Sequence, residues 1–247
     1  MKKILKIIFY SVCILGDLFL KDSKARVLMY HSHSLPKIFF NVTRDNLSWQ
    51  LDFLLKRGYK FILAKDLAKM IHNKESLKNI IVITYDDGHI DFLETALPEF
   101  KKRNIPVTLF WPKEMKDNKM FTSDGTECLL ISESQIAEIK EDKILEIGSH
   151  GLTHRELNSL SKEELISECR RDEEVSFAYP RGKFGDREKG VVKESGFSIS
   201  FSTKTGFVDL DTDTYEIPRI SIDKETDKLA FRAKLSTLFG IYAKVRR

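Results

Sequence analysis

Ile80 to Thr84 reads I-I-V-I-T, an unbroken run suited to a buried strand, and the chain then turns at Asp86-Asp87-Gly88. A strand with one face in water alternates apolar and polar residues. An uninterrupted β-branched run instead marks burial on both faces, the habit of parallel sheets covered by helices. The surrounding sequence supplies the remaining pieces. Strands are predicted at 26–30, 59–63, 106–111, 144–148, 175–179 and 197–201, and helices at about 43–57, 66–72, 92–103, 132–142, 161–170 and 186–195. Thr43 caps the first of these helices, with Leu47, Leu51, Leu54 and Leu55 on one face. Ser132 with Gln135 and Ser161 with Glu164 form capping boxes. Strands alternating with helices imply βαβ units and a parallel sheet, open or closed into a barrel. Lys113 to Leu130 is polar and irregular and reads as an insertion. No internal repeat, low-complexity tract or linker interrupts the pattern, so residues 25–224 are expected to form one α/β domain, flanked by terminal segments 1–24 and 225–247.

The two terminal segments carry a different signal. Met1 to Lys6 is basic and Ile7 to Leu15 apolar, as in a secretory signal, but Asp17 follows and no small-x-small cleavage site precedes Lys21. Ile4 to Leu20 contains Lys6 and Asp17 and is short for a membrane span. A helix docked on the domain or lying on a membrane is expected, in the cytoplasm or at the periphery of the inner membrane. The alternative is export with an uncleaved, atypical signal. Asp227 to Arg247 reads as a helix with Phe231, Leu235, Leu238, Phe239, Tyr242 and Val245 at three- and four-residue steps, and with Lys228, Arg232, Lys234, Lys244, Arg246 and Arg247 between them. It would pack on the domain or touch an anionic membrane. A net charge of +4 is too small to argue for a nucleic-acid partner. Cys13, Cys128 and Cys169 are scattered, which argues against a disulfide framework and against a thiolate zinc site, and favours a reducing compartment.

Adjacent strand residues face opposite ways, so Asp86 and Asp87 share a site only if the backbone re-aims, and Gly88 is the expected means. Glu146 to His154 places His150 and His154 four residues apart just past a strand. Neutral imidazole ligates zinc and its neighbours. With Asp87 the set becomes two nitrogens and one oxygen, the pattern of a catalytic metal with open positions. Asp86 is then free to take a proton from water. The strand 26–30 delivers His31, Ser32 and His33 at its end, and Phe177 to Gly182 (F-A-Y-P-R-G) reads as a tight turn or as a wall offering a backbone N–H to an oxyanion.

V-L-M-Y-H-S (27–32), V-I-T-Y-D-D-G (82–88), E-I-G-S-H-G-L-T-H (146–154), F-A-Y-P-R-G (177–182) and, more weakly, I-P-R-I (217–220) occur in an order that resembles the polysaccharide deacetylases of carbohydrate esterase family 4. The resemblance implies a distorted (β/α) barrel of about seven parallel strands with its site at their carboxyl ends. It implies metal-dependent hydrolysis of N-acetyl, less often O-acetyl, groups on a polysaccharide or lipid-linked sugar. Carried over by motif, Asp87, His150 and His154 would hold a divalent ion, zinc first, with cobalt, nickel, iron or manganese as alternatives. Asp86 would be the general base, oriented by Arg219, and His31 the acid, with His33 second. Tyr179, Pro180 and Arg181 would line the oxyanion side, the Arg181 N–H serving as donor. His89 and Arg181 stand where relatives usually carry aromatic residues, and the segment between Glu168 and Phe177 is about one or two helical turns shorter than is common. A changed grip on the sugar and a displaced 179–182 loop are therefore expected. Two other readings compete. An iron(II) oxygenase triad leaves Asp86 without a role, and a non-catalytic glycan-binding or membrane-associated relative would leave the whole set idle.

Overall fold

The computed structural model describes residues 2–35, 38–121 and 125–245, so Met1, Arg246 and Arg247 of the expected terminal helices and residues 122–124 of the expected insertion lie outside it. In chain order the elements are α1 (Lys2–Gly16), β1 (Arg26–Tyr30), α2 (Arg44–Lys56), β2 (Lys60–Ile62), α3 (Ala64–His72) and β3 (Ile80–Tyr85). A π-helical turn at Phe92–Ala96 leads into α4 (Leu97–Arg103), followed by β4 (Val107–Trp111), a hairpin of β5 (Lys119–Phe121) and β6 (Glu127–Leu129), α5 (Glu133–Ile139) and β7 (Leu145–Ser149). The chain ends with α6 (Lys162–Glu168), β8 (Ser176–Ala178), α7 (Asp186–Glu194), β9 (Ile199–Thr205), β10 (Ile217–Ser221), α8 (Lys228–Lys234) and α9 (Thr237–Val245).

Seven parallel strands close in the order β1-β10-β9-β8-β7-β4-β3 and back to β1. The second edge of β3 is shared. Lys60–Ile62 of β2 takes Ile80–Val82, and β4 takes Thr84 and Tyr85. Period-two alternation sorts the side chains. Leu28, Tyr30, Ile81, Ile83, Tyr85 and Leu109 face outward onto Leu47, Leu51 and Leu54 of α2, Phe100 of α4 and Phe231 of α8. Val27, Val82, Phe110, Ala178, Phe201 and Ile217 face inward. There they meet Ala64, Leu67 and Ile71 of α3, which closes the amino-terminal end of the barrel. Inward Thr108 and Glu146 fasten that plug, accepting from the first N–H groups of α3, at Ala64 (3.0 Å) and Lys65 (3.0 Å) respectively. Gly148 makes room above it, because a Cβ there would lie 2.6 Å from the Phe110 ring.

Several expectations need correcting. Ile217–Ser221 is a strand that the sequence pattern does not announce, since Pro218 and Arg219 break its apolar run. The carboxyl-terminal helix is two helices, interrupted at Leu235 and Ser236. Leu55 is 42% exposed and belongs to the rim of α2, not its core face. Within the expected 113–130 insertion, Lys119–Phe121 and Glu127–Leu129 pair as antiparallel strands. All three cysteines are free and buried, and α1 docks through Cys13, Phe9 and Tyr10 beside α8 and α9.

Candidate active site

The inward stripes of β1, β3, β7 and β9 end at the carboxyl-terminal rim on His31, Asp86, His150 and Thr203, all of which line one cavity of 490 Å³. Asp87 joins them by a change of backbone. Its own φ is 72° and that of Gly88 is 67°, so two successive left-handed residues turn the chain back over the barrel mouth. The re-aiming expected of Gly88 alone therefore begins one residue earlier. Aspartate tolerates that region better than most side chains. Gly88 cannot be replaced cheaply, because a Cβ would sit 2.6 Å from Trp111 Cδ1. His154 (φ 56°) and Arg181 (φ 54°) are left-handed as well, so three rim residues hold uncommon backbone conformations.

Asp87 Oδ1 lies 3.3 Å from His150 Nε2 and 3.1 Å from His154 Nε2, and one donor atom from each of the three residues falls within 4.8 Å of the others. The His150 Nδ1–H donates to the Ala178 carbonyl at 2.7 Å, which leaves Nε2 as the free lone pair on the cavity side. Burial alone would raise the Asp87 carboxyl, but the His150, His154 and His89 rings around it hold its pKa well below the usual range. An ionised carboxylate with two converging imidazole nitrogens fits a divalent ion of the zinc type. His89, from the far side, places Nε2 3.5 Å from Asp87 Oδ2, and despite its burial that contact pushes it up to about 10.

Asp86 is held differently. Arg219, only 1% exposed, donates to both of its oxygens, Nη1 at 2.6 Å and Nη2 at 2.7 Å. Its Nε reaches the Ser202 carbonyl at 2.9 Å. That acceptor is free of the ladder because the β9–β10 register slips beside it. Four residue steps on β9, Phe201 to Thr205, oppose two on β10, Ile217 to Arg219. Burial pushes the Asp86 pKa up, but Arg219 and His150 outweigh it and the carboxylate sits below its ordinary value.

His31 stacks on Phe40 with ring centroids 4.4 Å apart, and its buried Nδ1 has no hydrogen-bond partner. Burial lowers its pKa, against the pull of Asp87 and Asp86. His33 does not belong to the site. Its Nδ1 meets the Val42 carbonyl at 2.5 Å and its Nε2 meets the Tyr85 hydroxyl, so both ring nitrogens are occupied in the wall. Tyr179 lines the cavity, while its ring packs outward into a cluster with Phe177 and Phe184 and its hydroxyl donates to the Tyr215 carbonyl at 2.9 Å. What Tyr179 contributes is anchorage for the Pro180–Gly182 turn, which presses on Thr203 so closely that a Cβ at Gly182 would lie 2.0 Å from Thr203 Oγ1. The shortened segment before Phe177 has not removed this turn from the rim, and Arg181 lines the cavity.

Two contributions escape sequence reasoning. Asp91 Oδ2 accepts from Ser32 Oγ (2.7 Å), His33 N (2.7 Å), Ser34 N (2.8 Å) and Ser34 Oγ (2.9 Å), tying down the loop that carries His31. Ile38, Phe39 and Phe40 from one loop and Met120 and Phe121 from the hairpin supply apolar walls.

Comparison with known proteins converges on one family. The family model for polysaccharide deacetylase matches residues 73–199, slightly more than half of the chain. YxkH of Bacillus subtilis is 24% identical over 229 residues, covering 88% of this chain and 78% of that protein. The poly-beta-1,6-N-acetyl-D-glucosamine N-deacetylase of Staphylococcus epidermidis is 25% identical over 207 residues, covering 75% of this chain and 69% of its own length. Among solved structures, the fold is similar to that of the Streptococcus pyogenes deacetylase PplD in complex with acetate, with a TM-score of 0.74 at 20% identity over 87% of this chain and all (100%) of that one. It is likewise similar to IcaB from Ammonifex degensii, with a TM-score of 0.69 at 19% identity over 87% of this chain and 98% of that one. On the strength of the family match over strand β3, the histidine pair and the 179–182 turn, this chain belongs to the polysaccharide deacetylase family of hydrolases.

Proposed function

We propose that this protein removes N-acetyl groups from a polysaccharide or lipid-linked sugar, with Asp86 as general base and Asp87, His150 and His154 as ligands of a divalent ion, zinc first. One observation carries the reading. A buried carboxylate clamped by Arg219 stands next in the chain to an ionised carboxylate on which two imidazoles converge, and all four site residues line the same cavity. The likeness to a staphylococcal N-deacetylase of poly-N-acetylglucosamine supports the nitrogen-linked acetyl group as target.

When bound, such an ion lowers the pKa of a water and polarises a carbonyl. The chain's own residues do the rest. Asp86, kept ionised by Arg219, takes the proton as water attacks the acetyl carbon. The Arg181 N–H, on a left-handed turn that Tyr179 and Thr203 hold rigid, donates to the oxygen as it gains charge; one such donor is typically worth about 3–4 kcal/mol. His31 hands a proton to the departing amine. Phe39, Phe40 and Phe121 give sugar rings an apolar face to lie against.

The experiment is acetate release from a panel of N-acetylated glycans, with and without chelator, for the wild type and Asp86→Asn. Chelator-sensitive release by the wild type alone is expected. Normal turnover by Asp86→Asn would sink the assigned mechanism.

A further inference from the structure

Away from the site, α1 carries apolar side chains on both of its faces, yet only one face is covered. Cys13 is buried, and Phe9 stacks on Tyr242 of α9 at 4.8 Å. Ile4, Leu5, Ile8, Val12 and Leu15 form the opposite stripe, and all are exposed. The stripe continues past the helix into Leu18, 71% exposed, and Phe19, 87% exposed. A helix with apolar side chains on both faces needs cover on both.

The position of this stripe is specific. At one end, Lys6 pairs with Glu225 at 2.9 Å, and the neighbouring Lys224 N–H donates at 3.1 Å to the carbonyl of Phe39, a wall residue of the active-site cavity. At the other end, Asp17 Oδ1 accepts from Thr237 N at 2.8 Å, near where Arg26, the first residue of β1, meets the Leu235 carbonyl at 3.0 Å. α1 therefore runs down the flank of the barrel from its catalytic rim to its plugged floor. At the floor end the apolar stripe borders a cleft of 630 Å³ into which Arg57, Lys78 and Arg232 also face. None of these three cations has an ion-pair partner among the described residues. Of the two acids of the cleft, Asp22 is paired with Arg26, and Asp17 accepts from Thr237 N.

We propose that this flank docks on an anionic bilayer, with Ile4 to Phe19 seated among the acyl chains and Arg57, Lys78 and Arg232 on lipid phosphates. Exposed aliphatic and aromatic side chains bordered by unpaired cations match that surface in both of its layers. A second copy of the chain would supply apolar cover, but it would set a second group of three unpaired cations against the first, with Asp17 the one acid of each cleft outside an ion pair among the described residues. Because the stripe spans rim to floor, the barrel lies on its side and its mouth opens along the membrane. Among the described residues no helix is long and apolar enough to cross a bilayer, so the contact is with one leaflet.

The test is flotation of the full chain with vesicles of phosphatidylcholine, alone or mixed with phosphatidylglycerol. The wild type should float with the anionic vesicles and release from them as salt rises. Leu18→Ser with Phe19→Ser at the floor end, and Ile8→Ser with Val12→Ser at the rim end, should each weaken binding at least about tenfold. Arg57→Glu with Arg232→Glu should abolish the preference for phosphatidylglycerol. These positions are exposed, and acetate release from a soluble glycan should be unchanged in all three variants, which separates this surface from the catalytic reading. Failure of the wild type to float, equal flotation of the serine variants, or a dimer that those variants dissociate would each overturn the proposal.

Discussion

Arg219 and Asp86 meet in a two-toothed contact, 2.6 and 2.7 Å, between a guanidinium with no exposed side-chain surface and a carboxylate at the edge of the active-site cavity. The pair sits on the Phe110 ring, whose centroid lies 5.8 Å from the guanidinium carbon. Removing the arginine would strand the carboxylate in a place where burial alone raises its pKa. Arg219→Met should therefore cost about 3–5 kcal/mol of stability. A base must be unprotonated to work, so a raised Asp86 pKa should move the acid limb of kcat/KM to higher pH. Denaturant melts and a pH–rate profile check the two halves separately.

Asp86→Asn keeps the shape of the pair but cannot accept a proton. Turnover should fall about 10²–10⁴-fold while metal content, read by elemental analysis, stays at the wild-type level.

His150→Ala and His154→Ala should reverse that pattern, with metal content and activity falling together. Chelator should silence the wild type, and restored zinc should revive it but not the variants. Retained metal in both histidine variants would show that the ion, if any, sits elsewhere.

Asp91→Asn tests the anchor of the His31 loop. Burial would raise the Asp91 carboxyl, but the His33 N–H, the Ser32 hydroxyl and the Ser34 N–H more than offset this and hold it below its ordinary 3.8. A depressed carboxyl stabilises the fold at pH values above 3.8 and loses that contribution as pH falls through the folded value. Urea midpoints should place the variant about 1–3 kcal/mol below wild type at neutral pH, and the gap should close in acid.

Gly148→Ala would drive a Cβ to 2.6 Å from the Phe110 ring and 2.7 Å from Ser176 Oγ. A loss of about 1–3 kcal/mol is expected, with activity lowered because Phe110 underlies Arg219. Thermal melting and acetate release would show both.

The barrel strands were legible where apolar residues run unbroken, as at Ile80–Thr84, and hidden where they do not. Ile217–Ser221 contains a proline and a charge that make sense only once Arg219 is seen reaching across the interior to Asp86. The histidine pair was visible from its spacing, whereas the left-handed turn at Asp87 was not, because no residue pattern announces that an aspartate shares the work of the following glycine. Asp91 holds a loop some sixty positions away, and such a tie leaves no periodic trace. Tyr179 lines the cavity as expected, although its ring packs outward with Phe177 and Phe184. His33 follows β1 in the loop that Asp91 ties down, and its ring is bonded into the wall between Val42 and Tyr85, which its position in the chain does not announce. The break between α8 and α9 escaped notice because the three- and four-residue spacing of apolar positions continues across it.

The helix α3 stoppers the barrel from below, and Phe110 fills the space above it. The chamber is thus a cul-de-sac. Whatever enters to be processed must back out by the same doorway, and freed acetate must leave past, or after, the glycan that shed it. Added acetate should therefore compete with incoming sugar, and slow departure of a bulky product should throttle the cycle even when bond cleavage is quick.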